Sequence, residues 1–309
     1  MVSEPVWKIP EPLATCEVRH DADTVTVLRR HGNASGPRLV LSHGNGLAVD
    51  LYYPFWSLLE DDFDLVLYDL RNHGWNRVGA RDRHNVPTLI SDHREILAAI
   101  DQHFGAKPKT GIFHSVSGLI ALLSSGTAAL MPSAGFDPLA AQILLDPALR
   151  KPGASPLEFD AAAERAAEIT SRRGYRFASR EAYADFLAYL PAFTRVVPGV
   201  RDLVARTTLR RSADGQAFEL RCPRDYEAQI VGYIRSYSPL VDLHDLDCPT
   251  KVIGADPTLP YAYLPTLDLG DMDTVDYDFL PETTHFLLLE KPAECVAIIR
   301  EFLAAHRLM

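Results

Sequence analysis

The chain has 309 residues, 47% of them hydrophobic and 23% charged, enough apolar side chain for a sizeable core and too much for a disordered chain. Its formal net charge of −10 argues against non-specific binding to nucleic acid or to an anionic membrane, because both need a basic surface. There is no apolar run of the roughly 18 residues a membrane-spanning helix needs, and the acidic, proline-broken N-terminus lacks the form of a signal or transit peptide, so a cytoplasmic protein is expected.

Strand-like and helix-like segments alternate along the chain. Residues 24–28 alternate β-branched and apolar side chains and predict an early strand. Residues 39–42 form a dense apolar run that ends at His43-Gly44, and residues 64–68 form another that ends at Asp69. Tyr52, Tyr53 and Trp56, between these runs, either line a pocket entrance or pack on a first helix, and packing is the preferred reading. Residues 87–103 carry Leu89, His93, Ile96 and Ile100 at helical spacing. Residues 111–113 are a third strand run, ending at His114-Ser115, and residues 117–131 follow as a helix apolar nearly all round.

Residues 142–145 end at Asp146-Pro147. The run over 151–242 then breaks the alternation. It opens on a segment rich in Pro, Gly and Ser and continues with helical patterns over 159–172 and 180–190, with frequent aromatic residues including Phe177, Tyr183, Phe186, Tyr189 and Phe193. It predicts a helical cap inserted between two strands of a core formed by residues 1–150 and 243–309. Strand runs return at 251–253, ending at Gly254-Ala255-Asp256, and at 274–279, before a loop that holds His285. The final helix, over 290–306, sets Val296, Ile299 and Leu303 on one face, with Pro292 in its first turn. Short, fully apolar strands separated by helices predict an α/β fold with a mostly parallel central sheet flanked by helices.

Gly111-Ile112-Phe113-His114-Ser115-Val116-Ser117-Gly118 joins an apolar strand to an apolar helix through a serine. A serine there sits on a sharp turn with its hydroxyl exposed at the carboxyl end of the sheet, which makes Ser115 the candidate nucleophile. Ser117 is a weaker rival, because it would put Leu119 at the crowded position two residues on. His285 is the candidate base. Asp256 is the first candidate for the acid that orients it, and Asp146, at another strand end, is the alternative. The oxyanion hole is assigned to the backbone N–H groups of Val116, just after the nucleophile, and Asn45, in the glycine-flanked His43-Gly44-Asn45-Gly46 loop.

The order HG loop, serine, aspartate, histidine resembles the α/β-hydrolase family, in its branch with a helical cap. So do Asp69-Leu70-Arg71-Asn72-His73-Gly74, similar to that family's D-x-R-G-x-G loop, the Cys248–Gly254 stretch, and Thr284-His285-Phe286 running on to Glu290 and Pro292. The resemblance implies a serine hydrolase that forms an acyl-enzyme on Ser115, and Phe113 and Ser117 depart from the family's glycines. Asp69 and Arg71 are expected to form a structural ion pair in their loop. No metal motif and no G-x-G-x-x-G after the first strand occur, so no metal and no cofactor is expected. The four scattered cysteines, Cys16, Cys222, Cys248 and Cys295, are expected to be reduced thiols. The partner expected is a small to medium, fairly apolar carboxylic ester. The same triad acting on a carbon–carbon bond, a lactone or an amide stays open, as do a non-catalytic receptor on this fold and the oligomeric state.

Overall fold

The short apolar runs form one sheet, whose central strands are buried on both faces. The computed structural model describes residues 7–126, 139–150, 155–244, 246–259 and 275–309. Its strands are β1 (Ala14–Arg19), β2 (Val25–Gly32), β3 (Arg38–Ser42), β4 (Asp64–Leu67), β5 (Lys109–His114), β6 (Ala141–Leu145), β7 (Arg176–Phe177), β8 (Leu209–Arg211), β9 (Phe218–Leu220), β10 (Thr250–Gly254) and β11 (Asp276–Phe279). Its helices are α1 (Tyr53–Trp56), α2 (Val86–Phe104), α3 (Val116–Gly126), α4 (Pro156–Arg172), α5 (Arg180–Leu187), α6 (Val200–Thr208), α7 (Arg224–Tyr237), α8 (Leu287–Glu290) and α9 (Pro292–Ala305).

The main sheet has the order β1-β2-β4-β3-β5-β6-β10-β11. From β4 to β11 neighbouring strands are parallel, and β1 and β2 add an antiparallel edge. Alternate side chains of each strand enter opposite layers. Leu39 and Leu41 of β3 pack with Phe55, Trp56, Leu288 and Ile299 on one face. Val40 between them packs with Leu89, Ile96, Leu119 and Ile120 on the other. This double burial explains why the strands read as unbroken apolar runs. The helices that cover the sheet carry their own start and stop signals. The Asn85 side chain accepts a hydrogen bond from Thr88 N–H at the start of α2, and Gly105, at φ 83°, ends it.

Two features differ from the sequence reading. β1 is an exposed edge strand with only Val18 buried, so its pattern is too weak to read. The segment between β6 and β10 holds α4 to α7, as helical patterns imply, but also a three-stranded antiparallel sheet in the order β7-β9-β8. Its strands have only two or three residues each, too few to show an alternation. Residues 127–131, the expected end of the helix after Ser115, lie outside the described residues, as does part of the 151–156 segment. Among the described residues all four cysteines are free, and no helix is long and apolar enough to cross a membrane.

Candidate active site

Parallel strands end at one edge of a sheet, so the loops that leave them meet there. Register makes this specific. Ser42 of β3 stands opposite Phe113 of β5, and His114 of β5 stands opposite Leu145 of β6. The next residues, His43-Gly44, Ser115 and Asp146, therefore leave three adjacent strands at one level. The Ser115 N–H donates to the Leu145 carbonyl at 3.0 Å, which ties the turn to its neighbour.

Ser115 has φ 57°, in the left-handed region that non-glycine residues seldom adopt. The chain reverses from β5 into α3 at this residue, and the Ser115 carbonyl takes N–H bonds from Gly118 and Ala148, both at 3.1 Å. Such strain at a single serine between strand and helix is the geometry of a nucleophile elbow. Ser117 is removed as a rival: its hydroxyl donates to the His114 carbonyl at 2.8 Å, and its side chain is buried.

His285 lies on the loop between β11 and α8. The buried Glu290 carboxylate fixes that loop by accepting the Thr284 N–H at 2.8 Å and the Thr284 hydroxyl. His285 Nδ1 lies 2.5 Å from Asp146 Oδ2. A carboxylate accepts only, so Nδ1 donates, and in the neutral ring the lone pair is then on Nε2. The expected pairing of His285 with Asp256 is thus corrected to Asp146. Asp256 is engaged elsewhere: Oδ1 accepts the Thr258 N–H at 2.8 Å and the Thr258 hydroxyl at 2.6 Å, and Oδ2 accepts the Glu282 N–H at 2.7 Å. It closes its own turn and ties down the approach to His285.

The loop after β3 lies against the elbow. A Cβ added to Gly44 would stand 3.1 Å from Ser115 Cβ and 2.9 Å from His114 Nδ1, so only glycine fits. Neighbours occupy two backbone donors of this loop. Gly44 N–H donates to Tyr52 Oη at 3.1 Å, and Gly46 N–H donates to His73 Nε2 at 2.9 Å. Asn45 lies between them, and no described residue accepts from its N–H. Val116 opens α3, so its N–H has no intrahelical carbonyl to bond. These are the two groups expected as oxyanion donors. His43 and His73 hold the loop as neutral rings, because burial pushes His43 below the ordinary histidine range and His73 well below it. α7 reaches over the same loop: the Asn45 side-chain amide donates to the Glu227 carbonyl at 2.8 Å, and the Glu227 carboxylate sits where a Gly46 Cβ would be.

A sequence model of the Alpha/beta hydrolase family matches residues 39–298, most of the chain. The chain belongs to the alpha/beta hydrolase family. Solved structures of similar fold include E-2-(acetamidomethylene)succinate hydrolase, with TM-score 0.71 and 18% identity over 94% of this chain and 99% of that one. A thermophilic esterase from Thermogutta terrifontis matches with TM-score 0.62 and 20% identity over 95% and 99%. A magnesium-chelatase 30 kDa subunit from Rhodobacter capsulatus is 33% identical over 91 residues, which is 29% of this chain and 31% of that relative.

For a member of the alpha/beta hydrolase family, the elbow has an unusual residue in Phe113. Its crowding is relieved one pleat away. A Cβ at Gly111 would lie 2.2 Å from the Phe113 ring, so the glycine two residues earlier makes room for the aromatic side chain. Gly118 is also required, since a Cβ there would meet Pro147 at 3.0 Å. Asp69 and Arg71 are structural as expected, but they do not pair with each other. Asp69 pairs with Arg29 at 2.8 Å, and Arg71 grips Asp92 through two bonds of 2.6 Å. Burial alone would raise the Asp69 carboxyl, yet Arg29 and the N–H groups of Val49 and Trp75 hold it below the usual carboxylate range. His20, Asp92 and Glu95 bring ligand atoms within 4.8 Å of one another, but Arg71 already neutralises Asp92, and His20 bonds Thr26 and Glu95.

Proposed function

We propose that the protein is a serine hydrolase that cleaves a carboxylic ester of small to medium, fairly apolar character. One observation carries this reading: Ser115, strained at φ 57°, leaves β5 at the level where Asp146 leaves β6, and Asp146 holds His285 Nδ1 at 2.5 Å. In this reading Ser115 Oγ attacks the ester carbonyl carbon and its proton passes to His285 Nε2. Asp146 keeps that nitrogen as the lone-pair site and stabilises the imidazolium that forms. The carbonyl oxygen becomes an oxyanion and takes the N–H groups of Asn45 and Val116. Donors of this kind are each worth on the order of 10²–10³ in rate. The intermediate collapses, the C–O bond breaks and the alcohol leaves with the proton from His285. Water, deprotonated by His285, then releases the acid and restores Ser115.

The segment between β6 and β10 serves as the cap in this reading. Glu227 on α7 reaches over Gly46, and Phe193 packs on Phe286 with ring centroids 5.0 Å apart, next to His285. Both contacts support a cap over the reacting groups, and the aromatic pair supports an apolar acyl or alkoxyl group. The free cysteines fit a reducing compartment, and we place the protein in the cytoplasm.

Hydrolysis of p-nitrophenyl esters of increasing acyl length, wild type beside Ser115→Ala, tests the proposal. Turnover by the wild type that the variant loses is expected. A second reading, a small-molecule binding protein on this fold, draws on the partial match to a chelatase subunit, whose name is not that of a hydrolase. Ligand binding without turnover of any ester, amide, lactone or diketone would favour it.

A further inference from the structure

Behind the site runs a buried chain of hydrogen bonds that the triad itself does not use. Gly44 N–H donates to Tyr52 Oη at 3.1 Å, Tyr52 Oη lies 2.5 Å from His114 Nδ1, and His114 Nε2 lies 2.8 Å from the His285 carbonyl oxygen. Tyr52 and His114 are 2% and 1% exposed, so no bulk water can replace any of these partners. Burial, with His285 and His43 nearby, pushes the His114 imidazole well below the ordinary histidine range, so it is neutral and has one N–H. The His285 carbonyl only accepts, which places that hydrogen on Nε2. Nδ1 is then an acceptor, and the Tyr52 hydroxyl must donate to it. The phenol oxygen keeps its lone pairs for Gly44 N–H. One tautomer satisfies every group, and every bond then points in one direction, from Gly44 to His285.

The chain joins the three segments that must be in register. Gly44 precedes Asn45, His114 precedes Ser115, and the carbonyl bonded at the far end is that of His285 itself. The His114 ring also lies against the His285 ring, tilted by 40° with centroids 4.6 Å apart. A charged ring there would oppose the imidazolium that forms on His285, so neutrality at His114 suits its place. We propose that Tyr52 and His114 are positioning residues, which hold the Asn45 donor, the Ser115 turn and the His285 ring in one geometry. This rests on the serine-hydrolase reading of the site. Misplacing a reacting group by about 1 Å can cost on the order of 10²-fold in rate.

The test uses Tyr52→Phe, which keeps the ring and removes the hydroxyl, with His114→Gln and His114→Leu beside it. The rate of active-site labelling by a fluorophosphonate, and kcat and KM on a p-nitrophenyl ester, are measured for each. Thermal unfolding midpoints report the fold. Tyr52→Phe is expected to lower labelling and kcat together by about 10–100-fold, with KM within about twofold and a cooperative unfolding transition retained. His114→Gln keeps one donor and one acceptor and is expected to retain several-fold more activity than His114→Leu. A folded Tyr52→Phe that labels at the wild-type rate overturns the positioning role. If Tyr52→Phe does not fold, the His114 pair decides, and equal rates for Gln and Leu overturn it. A wild type that neither labels nor turns over instead overturns the serine-hydrolase reading beneath it.

Discussion

Two aspartates compete for one histidine, and their neighbours decide between them. Asp256 is followed two residues later by Thr258, and that Asp-x-Thr spacing lets the carboxylate bond its own turn, as it does through both the N–H and the hydroxyl of Thr258. Asp146 has no such local donor. Its Oδ2 reaches His285 Nδ1, and among the described residues its Oδ1 accepts only a long 3.4 Å bond from Ala255 N–H. The turn spacing in 256–258 was therefore the signal in the sequence that set Asp256 apart, whereas Ser115 and His285 were legible from their places at the ends of strand runs. Asp146→Asn is expected to lower kcat by roughly 10³–10⁴-fold, because the amide no longer fixes the imidazole tautomer. Asp256→Asn is expected to cost no more than about tenfold. Steady-state kinetics of the two variants check this, and the reverse ranking would return the acid role to Asp256.

Among the elements, the core strands were legible because both faces are buried, which leaves unbroken apolar runs in the sequence. β1 and the β7-β9-β8 sheet were not, being exposed at an edge or only two or three residues long. The elbow shows how an element absorbs a departure from its family's pattern. Phe113 occupies the position where glycine is usual, and Gly111 on the same face of β5 leaves the space its ring fills. Gly111→Ala would set a methyl 2.2 Å from that ring, inside a fully buried strand. The Phe113 ring or β5 must then shift, at an expected cost of about 1–3 kcal/mol. Displacement of the elbow should also slow fluorophosphonate labelling. Chemical denaturation and labelling of this variant are the checks, and wild-type values in both would show that Gly111 has no such role.

Over the whole molecule, buried neutral histidines make stability depend on pH. Burial, aided by Arg29, Arg94 and Arg71 respectively, lowers His31 and His93 from the ordinary 6.5 to about 4 and His84 to about 3. Below pH 6.5 the unfolded chain binds protons at these rings that the folded chain does not. The stability they contribute is complete above 6.5 and is lost progressively as the pH falls toward 4. The slope is expected to reach about 1.4 kcal/mol per pH unit for each fully shifted ring. Urea unfolding at pH 7.5, 5.5 and 4.5 checks this, and a constant free energy across the three would contradict it. Chain order was the most legible property at this scale, since glycine loop, serine and histidine each follow a strand run that the fold brings to one edge. Strand adjacency was not, and it is adjacency that puts β6 beside β5 and Asp146 beside Ser115.

The most direct test is the mass of the protein after reaction with a fluorophosphonate, followed by peptide mapping of the adduct. The account requires one equivalent of label on Ser115 and none on the Ser115→Ala variant. A label on Ser117, or an unlabelled wild type that is folded, would contradict it.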